Sequence, residues 1–204
     1  MNNVSKMTEI HNKMRDELNA CARACGVHPG IGEPRAVQGS SEGFRGGADG
    51  KITGVSKLTS NQSTTLLYDI TCPAARAPST VAKRPKHAGN KPGFVARDHE
   101  FKKKRDHEYA ATAERNGWDF FGAVIIKDSC FLGQGTKDLL NRITAHRRGE
   151  EFESEGYNSE LFKAGVFSPA KAKAYWTRAL LVAMINRREQ AISEGKAKAE
   201  AAGN

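Results

Sequence analysis

Two aspartates in contrasting surroundings are the first candidates for chemistry. Asp69 lies within Leu66–Cys72, a run of mostly apolar, β-branched and aromatic residues that predicts a buried strand. An ionised carboxylate in such a strand is costly unless it is paired with a cation or binds a metal. Asp49 follows two glycines and an alanine and precedes a second candidate strand, Lys51–Val55. Because neighbouring strands lie about 4.8 Å apart, the two carboxylates can come within a few ångström of each other.

Converging carboxylates beside a lysine are the side chains that metal-dependent phosphodiester cleavage needs. Mg²⁺ takes oxygen ligands and keeps water in its coordination shell, and a lysine can lower the pKa of the attacking water or stabilise charge on the phosphate. A basic run on the next predicted helix, Lys102 to Arg105, supplies the lysines. The metal ligands we expect are Asp49, Asp69 and a candidate third carboxylate, Glu33, and the candidate catalytic residues are Asp49, Asp69, Lys103 and Lys104.

Each of these residues also has a purely structural explanation. An aspartate between glycines, such as Asp49, is typical of a turn. Asp69 could end a strand or pair with a nearby lysine, and a lysine run is more often a solvated helix face or a nuclear import signal. A metal nuclease and a structural or partner-binding domain therefore both remain open from these residues alone.

The charge balance favours a polyanionic partner. The chain of 204 residues has 32 Lys and Arg against 23 Asp and Glu, a formal net charge of +9, and an excess of this kind favours phosphate binding through counterion release. We expect DNA as the partner, with RNA as an alternative. The candidate nucleic-acid contacts are Lys83, Arg84, Lys86, Lys91, Lys102, Arg105, Arg147 and Arg148.

Cysteine usage and hydropathy bear on the cellular compartment. The four cysteines form no CxxC pair and no signal peptide precedes them, which favours a reducing, intracellular compartment. No apolar run approaches the roughly 18 residues that a membrane-spanning helix needs, so we expect no membrane partner.

The order of predicted elements indicates the fold class. Strands alternate with helices, which favours an α/β fold with a small mixed sheet flanked by helices. We expect one domain over residues 1–193, with flexible loops at 29–50 and 73–98 and a disordered tail at 194–204. The predicted helices are 8–24, 99–115, 134–147 and 168–193, and the predicted strands are 51–55, 66–72 and 120–126, the last buried on both faces.

Short motifs between His11 and Ile192 carry a resemblance to a known family. They are His11-Asn12, Ala24-Cys25-Gly26, Glu33-Pro34, Gly47-Ala48-Asp49, Tyr68-Asp69-Ile70-Thr71, Lys102-Lys103-Lys104 with Tyr109, Gly117-Trp118-Asp119-Phe120 and Arg178-Ala179-Leu180-Leu181. In these motifs the chain resembles the restriction-like endonuclease domain at the C-terminal end of non-long-terminal-repeat retrotransposon polyproteins. That domain is a branch of the PD-(D/E)xK nuclease superfamily.

The resemblance implies a restriction-endonuclease-like core with C-terminal helices, and nicking or cleavage of DNA at the insertion target of a mobile element. It implies Mg²⁺ or Mn²⁺ as the cofactor, with Asp49 and Asp69 as the metal aspartates and a lysine on the following helix as the catalytic lysine. It also implies a reverse-transcriptase domain in the full-length element and a nuclear location. The oligomeric state is not indicated.

Two positions depart from the family pattern. Thr71 stands two residues after Asp69, where the wider superfamily has its lysine. The retrotransposon branch carries that lysine on the helix, commonly four residues before the tyrosine, and here Arg105 holds that position before Tyr109. Since arginine keeps its proton and cannot act as a base, Lys103 or Lys104 would take the role. The alternative function is a catalytically inactive nucleic-acid-binding remnant of the same fold.

Overall fold

The computed structural model describes residues 3–30, 48–56, 63–75, 77, 91–106, 109–145 and 169–202, and this part of the chain contains both helices and strands. The elements are α1 (Asn3–Ala24), β1 (His28–Pro29), β2 (Gly50–Ser56), β3 (Ser63–Thr71), α2 (Pro92–Asp106), α3 (Tyr109–Arg115), β4 (Asp119–Ile126), β5 (Phe131–Leu132), α4 (Gln134–Thr144) and α5 (Pro169–Ala202).

The strands form one mixed sheet in the order β1-β2-β3-β4-β5. β2 pairs with β3 antiparallel, and β4 pairs with β3 parallel. The short edge strands β1 and β5 pair antiparallel with their neighbours. A parallel pair needs a long connection between its strands, and α2 and α3 lie within the one that joins β3 to β4. The predicted α/β fold with a small mixed sheet and flanking helices is confirmed.

One face of the sheet carries the main core. Alternate residues of β3 and β4, such as Tyr68 and Ile125, pack there against α1, α4 and α5. Tyr68 is fully buried, and its Oη donates a hydrogen bond to Asn19 Oδ1 over 2.7 Å. Its ring lies against Gly50, where an added Cβ would come within 2.1 Å of a ring carbon. Position 50 therefore requires glycine, and the tyrosine ties the start of β2 to α1.

The opposite face of the sheet is covered by α2 and α3. Leu67 packs there against residues that include Tyr109 of α3, and Val124 packs against residues that include Val95 of α2. The carboxylate oxygen Oε1 of Glu100 in α2 accepts a hydrogen bond of 2.8 Å from the backbone N–H of Gly135 at the start of α4. These contacts hold α2 close to the ends of β3 and β4.

The helix bounds differ from those predicted in four helices, and the first difference is that α1 begins at Asn3, before the predicted start at residue 8. α2 begins at Pro92, so residues 92–98 are helix and not the predicted loop, because Pro suits the first helical position and Val95 and Ala96 bury against β4. α5 continues to Ala202 through the segment predicted as a disordered tail, where alanine and lysine favour helix. α4 ends at Thr144, before the predicted end at 147, and its last described neighbour is Ala145.

Other predicted segments are only partly covered. Most of the predicted loop 29–50 and of the predicted loop 73–98 lies outside the described residues, as do Ser168 and positions 107–108 of the predicted helix 99–115. Among the described helices, none has an apolar stretch long enough to span a membrane.

Candidate functional site

The two predicted metal aspartates come together in the structure. The antiparallel register of β2 and β3 pairs Gly50 with Tyr68, and Asp49 and Asp69 are the next residues of the two strands' chains. Their carboxyl groups are close enough to share a hydrogen bond. Both residues are buried, with 8% of Asp49 and 4% of Asp69 exposed. The structure therefore forms a buried acidic pair at the end of the central strands.

The pair is electrostatically asymmetric. Burial raises the pKa of Asp69 to about 7, and the neighbouring negative charge of Asp49 adds to the rise while Lys103 opposes it. Burial also acts to raise the pKa of Asp49, but hydrogen bonds from His11 and from the Ile70 backbone outweigh it and hold that pKa below its usual value. Two close carboxylates disfavour double ionisation. The proton they share at mildly acidic pH therefore resides on Asp69.

Asp49 is held by two donors that face the same oxygen. Its Oδ2 accepts a hydrogen bond of 2.5 Å from the Ile70 backbone N–H and lies 2.8 Å from Nε2 of His11. This contact raises the pKa of His11 and so favours the imidazolium form. His11 lies on α1 and Asp49 directly precedes β2, so this ion pair connects the helix to the start of the strand.

His11 was not among the predicted site residues. His11 belongs to the first of the motifs that resemble the endonuclease family. Met14 and Leu18 follow it at helical spacing, and both are fully buried. That spacing indicates that His11 lies near the inner edge of α1, yet nothing in the local sequence indicates which carboxylate it meets.

Lys103 is the predicted lysine that reaches the acidic pair. Its Nζ forms an ion pair with Oδ2 of Asp69, and 22% of its side chain is exposed. The contact lacks hydrogen-bond geometry, since Asp69 Oδ2 is buried without a hydrogen-bond partner in the described part of the chain. The lysine of α2 thus contacts one member of the acidic pair, Asp69 of β3.

The other predicted basic residues lie elsewhere or are not covered. Lys104 is exposed, and its charge acts on Glu100. Lys102 Nζ pairs with Asp98 Oδ2 over 2.5 Å within α2, and Lys91 is exposed just before α2. Arg105 lies within α2, next to its last residue. The candidates outside the described residues are Glu33, Lys83, Arg84, Lys86, Arg147 and Arg148.

The oxygens at the pair fit a hard divalent cation. Thr71 lies on the same face of β3 as Asp69, and its Oγ1, like Asp69 Oδ2, is buried without a hydrogen-bond partner among the described residues. Mg²⁺ is commonly bound by one or two carboxylates, with water and substrate phosphate completing its shell. Within the described ranges no group of three His, Cys, Asp or Glu side chains could hold a metal.

The chain was compared with protein-family models, curated proteins and solved structures, and none of them matches it. What the site can do follows from its geometry. A buried carboxylate pair faces an imidazolium on one side and a lysine amine on the other. Such a set can exchange a proton near neutral pH, bind a divalent cation and place a positive charge beside it.

Proposed function

We propose that this chain is a divalent-metal-dependent DNA endonuclease domain that nicks or cleaves target DNA. The observation that carries the proposal is the buried Asp49–Asp69 pair with the Lys103 amine on Asp69. A single buried aspartate can be explained by one structural ion pair. A second buried carboxylate against the first destabilises the fold when both are ionised, and a divalent cation bound to both would offset that repulsion.

The layout of the sheet supports a restriction-endonuclease-like core. Asp49 directly precedes β2 and Asp69 lies in β3. These two strands are antiparallel, β3 runs parallel to β4, and helices cover both faces of the sheet. The resemblance to retrotransposon endonuclease domains implies a core of this class, with further helices at its C-terminal end. The same resemblance carries two further parts of the proposal, namely action in the nucleus and a reverse-transcriptase domain in the full-length element.

The roles of the residues follow from their positions. Asp49 and Asp69 would hold Mg²⁺ or Mn²⁺, and an ion bound there would polarise a phosphate oxygen and lower the pKa of a bound water. The Lys103 amine would donate to a non-bridging phosphate oxygen and stabilise the charge that grows there. His11 would act as a positioning residue, because its contact fixes the Asp49 oxygen that also accepts from Ile70.

The charge of the molecule supports DNA as the substrate. A net charge of +9 attracts a polyanion, and the basic residues on α2 lie around Lys103. Contacts from Lys102 and Lys104 would go to phosphates and would carry no base preference. RNA is the alternative polyanion, and parallel substrates of each type distinguish the two.

The direct test is nicking of supercoiled plasmid DNA with Mg²⁺ and with Mn²⁺. We expect Asp69→Asn to lower the rate by about 100-fold or more, because the variant loses an anionic ligand without losing side-chain volume. The matched control is Asp138→Asn, since Asp138 is a surface carboxylate in α4 that bonds Gln134. If Asp69→Asn nicks DNA as fast as the parent, the mechanism is wrong.

A catalytically inactive nucleic-acid-binding remnant is the second candidate. It is favoured by one observation, namely that His11 and Lys103 already neutralise the two aspartates without a metal. A remnant would bind DNA with an affinity that falls steeply with salt and would not cleave it with either metal ion. If the parent chain binds DNA in a salt-dependent way but nicks it no faster than Asp69→Asn does, the inactive remnant is favoured.

A further inference from the structure

Helix α5 has apolar residues on two opposite faces. The inner face, with Trp176, Leu180, Ala183 and Met184, packs into the main core. A second set of apolar residues lies outside this core, since Tyr175, Val182 and Ile185 are 44%, 46% and 41% exposed. We define the outer stripe as Tyr175, Arg178, Val182, Ile185, Glu189 and Ile192.

The outer stripe has coiled-coil spacing. Its residues follow one another at alternating steps of three and four, which gives the period of 3.5 residues that keeps one face of a helix against a partner helix. Ile192, the last apolar member, is 50% exposed. At 1.5 Å per residue the stripe extends for about 25 Å. A second helix is therefore the shape of partner that this face fits.

The stripe is complementary to itself when a second copy runs antiparallel. About a two-fold axis midway between Val182 and Ile185, each of these residues faces the other in the second copy. Tyr175 then faces Ile192, and Arg178 faces Glu189. Each a position meets a d position, as in antiparallel coiled coils, and an isologous interface of this kind closes at two copies.

The two charged members of the stripe select this orientation. Arg178 and Glu189 are both exposed, and within the described residues neither has an ion-pair partner. In a parallel pair, arginine would face arginine and glutamate would face glutamate. The antiparallel pair replaces both repulsions with two Arg–Glu attractions, and such charge patterns are how coiled coils set orientation.

We propose that α5 is a homodimerisation helix, and that two copies of the chain associate antiparallel through the outer stripe with Arg178 of each copy against Glu189 of the other. Four apolar side chains per copy, each about half-exposed, bury a modest area. The dimer is therefore one that dissociates at roughly micromolar concentrations and not an obligate one. The inference is independent of nuclease activity.

The test is sedimentation velocity across a concentration series with charge-swapped variants. Arg178→Glu and Glu189→Arg each place like charges together twice, so each single variant weakens the dimer about tenfold or more. The double variant R178E/E189R restores the attraction and returns the dissociation constant to near that of the parent. Arg97→Glu, an exposed arginine of α2, is the matched control and leaves association unchanged. Circular dichroism of each variant checks that the fold is retained.

A gain-of-association variant tests the register independently. Beyond the stripe, the same alignment brings Lys171 of one copy opposite Lys196 of the other. Lys196→Glu converts this repulsion to attraction at both ends, so it tightens the dimer by about threefold to tenfold. A parent chain that stays monomeric at several hundred micromolar overturns the proposal. Failure of the double swap to restore association, or a weaker dimer in Lys196→Glu, overturns the antiparallel register.

Discussion

Asp69 and Gly122 are register partners in the parallel strands β3 and β4, so the carboxylate stands beside the one residue of β4 that has no side chain. A Cβ at Gly122 would lie 3.5 Å from the Glu100 Cα and the Lys103 Cβ. The glycine thus lets α2 approach the sheet at the height of Asp69. This approach is what allows a lysine from a helix to reach a carboxylate on a strand.

The first prediction concerns the size of the residue at position 122. Gly122→Ala should be tolerated, because its methyl group would make ordinary contacts, whereas Gly122→Leu should displace α2 and separate Lys103 from Asp69. We expect the leucine variant to lose about 1–3 kcal/mol of unfolding free energy through overpacking, and to lose nicking activity. Denaturant unfolding and plasmid nicking of the two variants measure this. Equal nicking by both would show that the approach of α2 is unimportant for the site.

The second prediction separates the two candidate lysines. Lys103→Ala should lower nicking by about 100-fold, since it removes the only cation that the structure pairs with Asp69 among the described residues. Lys104→Ala should leave the rate within about twofold at saturating DNA and weaken only salt-dependent binding, because Lys104 is exposed. The reverse order of effects would transfer the catalytic role to Lys104.

The third prediction concerns His11 as a positioning residue. His11→Ala removes a charged partner of Asp49, and we expect it to cost about 1–3 kcal/mol of unfolding free energy. If His11 acts through Asp49, the variant should lower kcat and leave KM for DNA nearly unchanged. His28→Ala, at an exposed position in β1, is the control. A change in KM alone would instead place His11 in DNA binding.

The fourth prediction is the pH dependence of stability without metal. The pKa of Asp69 is raised from 3.8 to about 7, so the folded state binds the proton more tightly and the free energy of unfolding falls as pH rises between those values. The pKa of His11 is raised from 6.5, so its contribution is complete below 6.5 and is lost as pH rises through the folded value. Both effects have the same sign.

The contribution of Asp49 to the free energy of unfolding changes with pH in the opposite direction, and it does so at acidic pH. Its pKa is lowered from 3.8, so its contribution is present above 3.8 and is lost as pH falls through the folded value. Urea unfolding in chelator-treated buffer from pH 3 to 9 measures the whole curve. Asp69→Asn should flatten the decline between about pH 4 and 7, and a decline of unchanged slope would assign it to other groups.

The fifth prediction is that divalent cations stabilise the protein more at pH 8 than at pH 6. Binding at the acidic pair requires Asp69 to be ionised, and its pKa near 7 makes proton release part of binding below neutral pH. The shift in Tm with Mg²⁺ or Mn²⁺ should therefore grow across this interval. Asp69→Asn should show no such growth. An equal shift in the variant would place the cation at another site.

Local sequence was sufficient to predict those strands whose own residues form an apolar run. β4 is a long apolar run and was predicted to within one residue of its bounds, whereas β3 was predicted over its apolar part and begins three residues earlier, at Ser63. Asp49 and Asp69 were predicted to converge because strand spacing limits how far apart neighbouring strands can lie. The acidic pair could therefore be inferred before any contact was known.

Features that depend on packing between distant segments could not be inferred in this way. The pairing of His11 with Asp49 joins a helix to a strand end, and local periodicity does not encode that contact. The choice of Lys103 over Lys104 depends on the rotation of α2 against Gly122. The division of α5 into an inner face and an outer stripe depends on which of its apolar residues the core has room to bury.

The order Tyr68-Asp69 has a consequence for how this chain would change over generations. Tyr68 closes the main core over Gly50, while its neighbour presents a carboxylate to the other face of the sheet. Packing of the main core thus fixes the position of β3, but the Asp69 carboxylate takes no part in that packing. Under drift alone, Gly50 and Tyr68 would persist for the sake of folding, while Asp69 would be free to mutate to asparagine, which relieves the burial of charge.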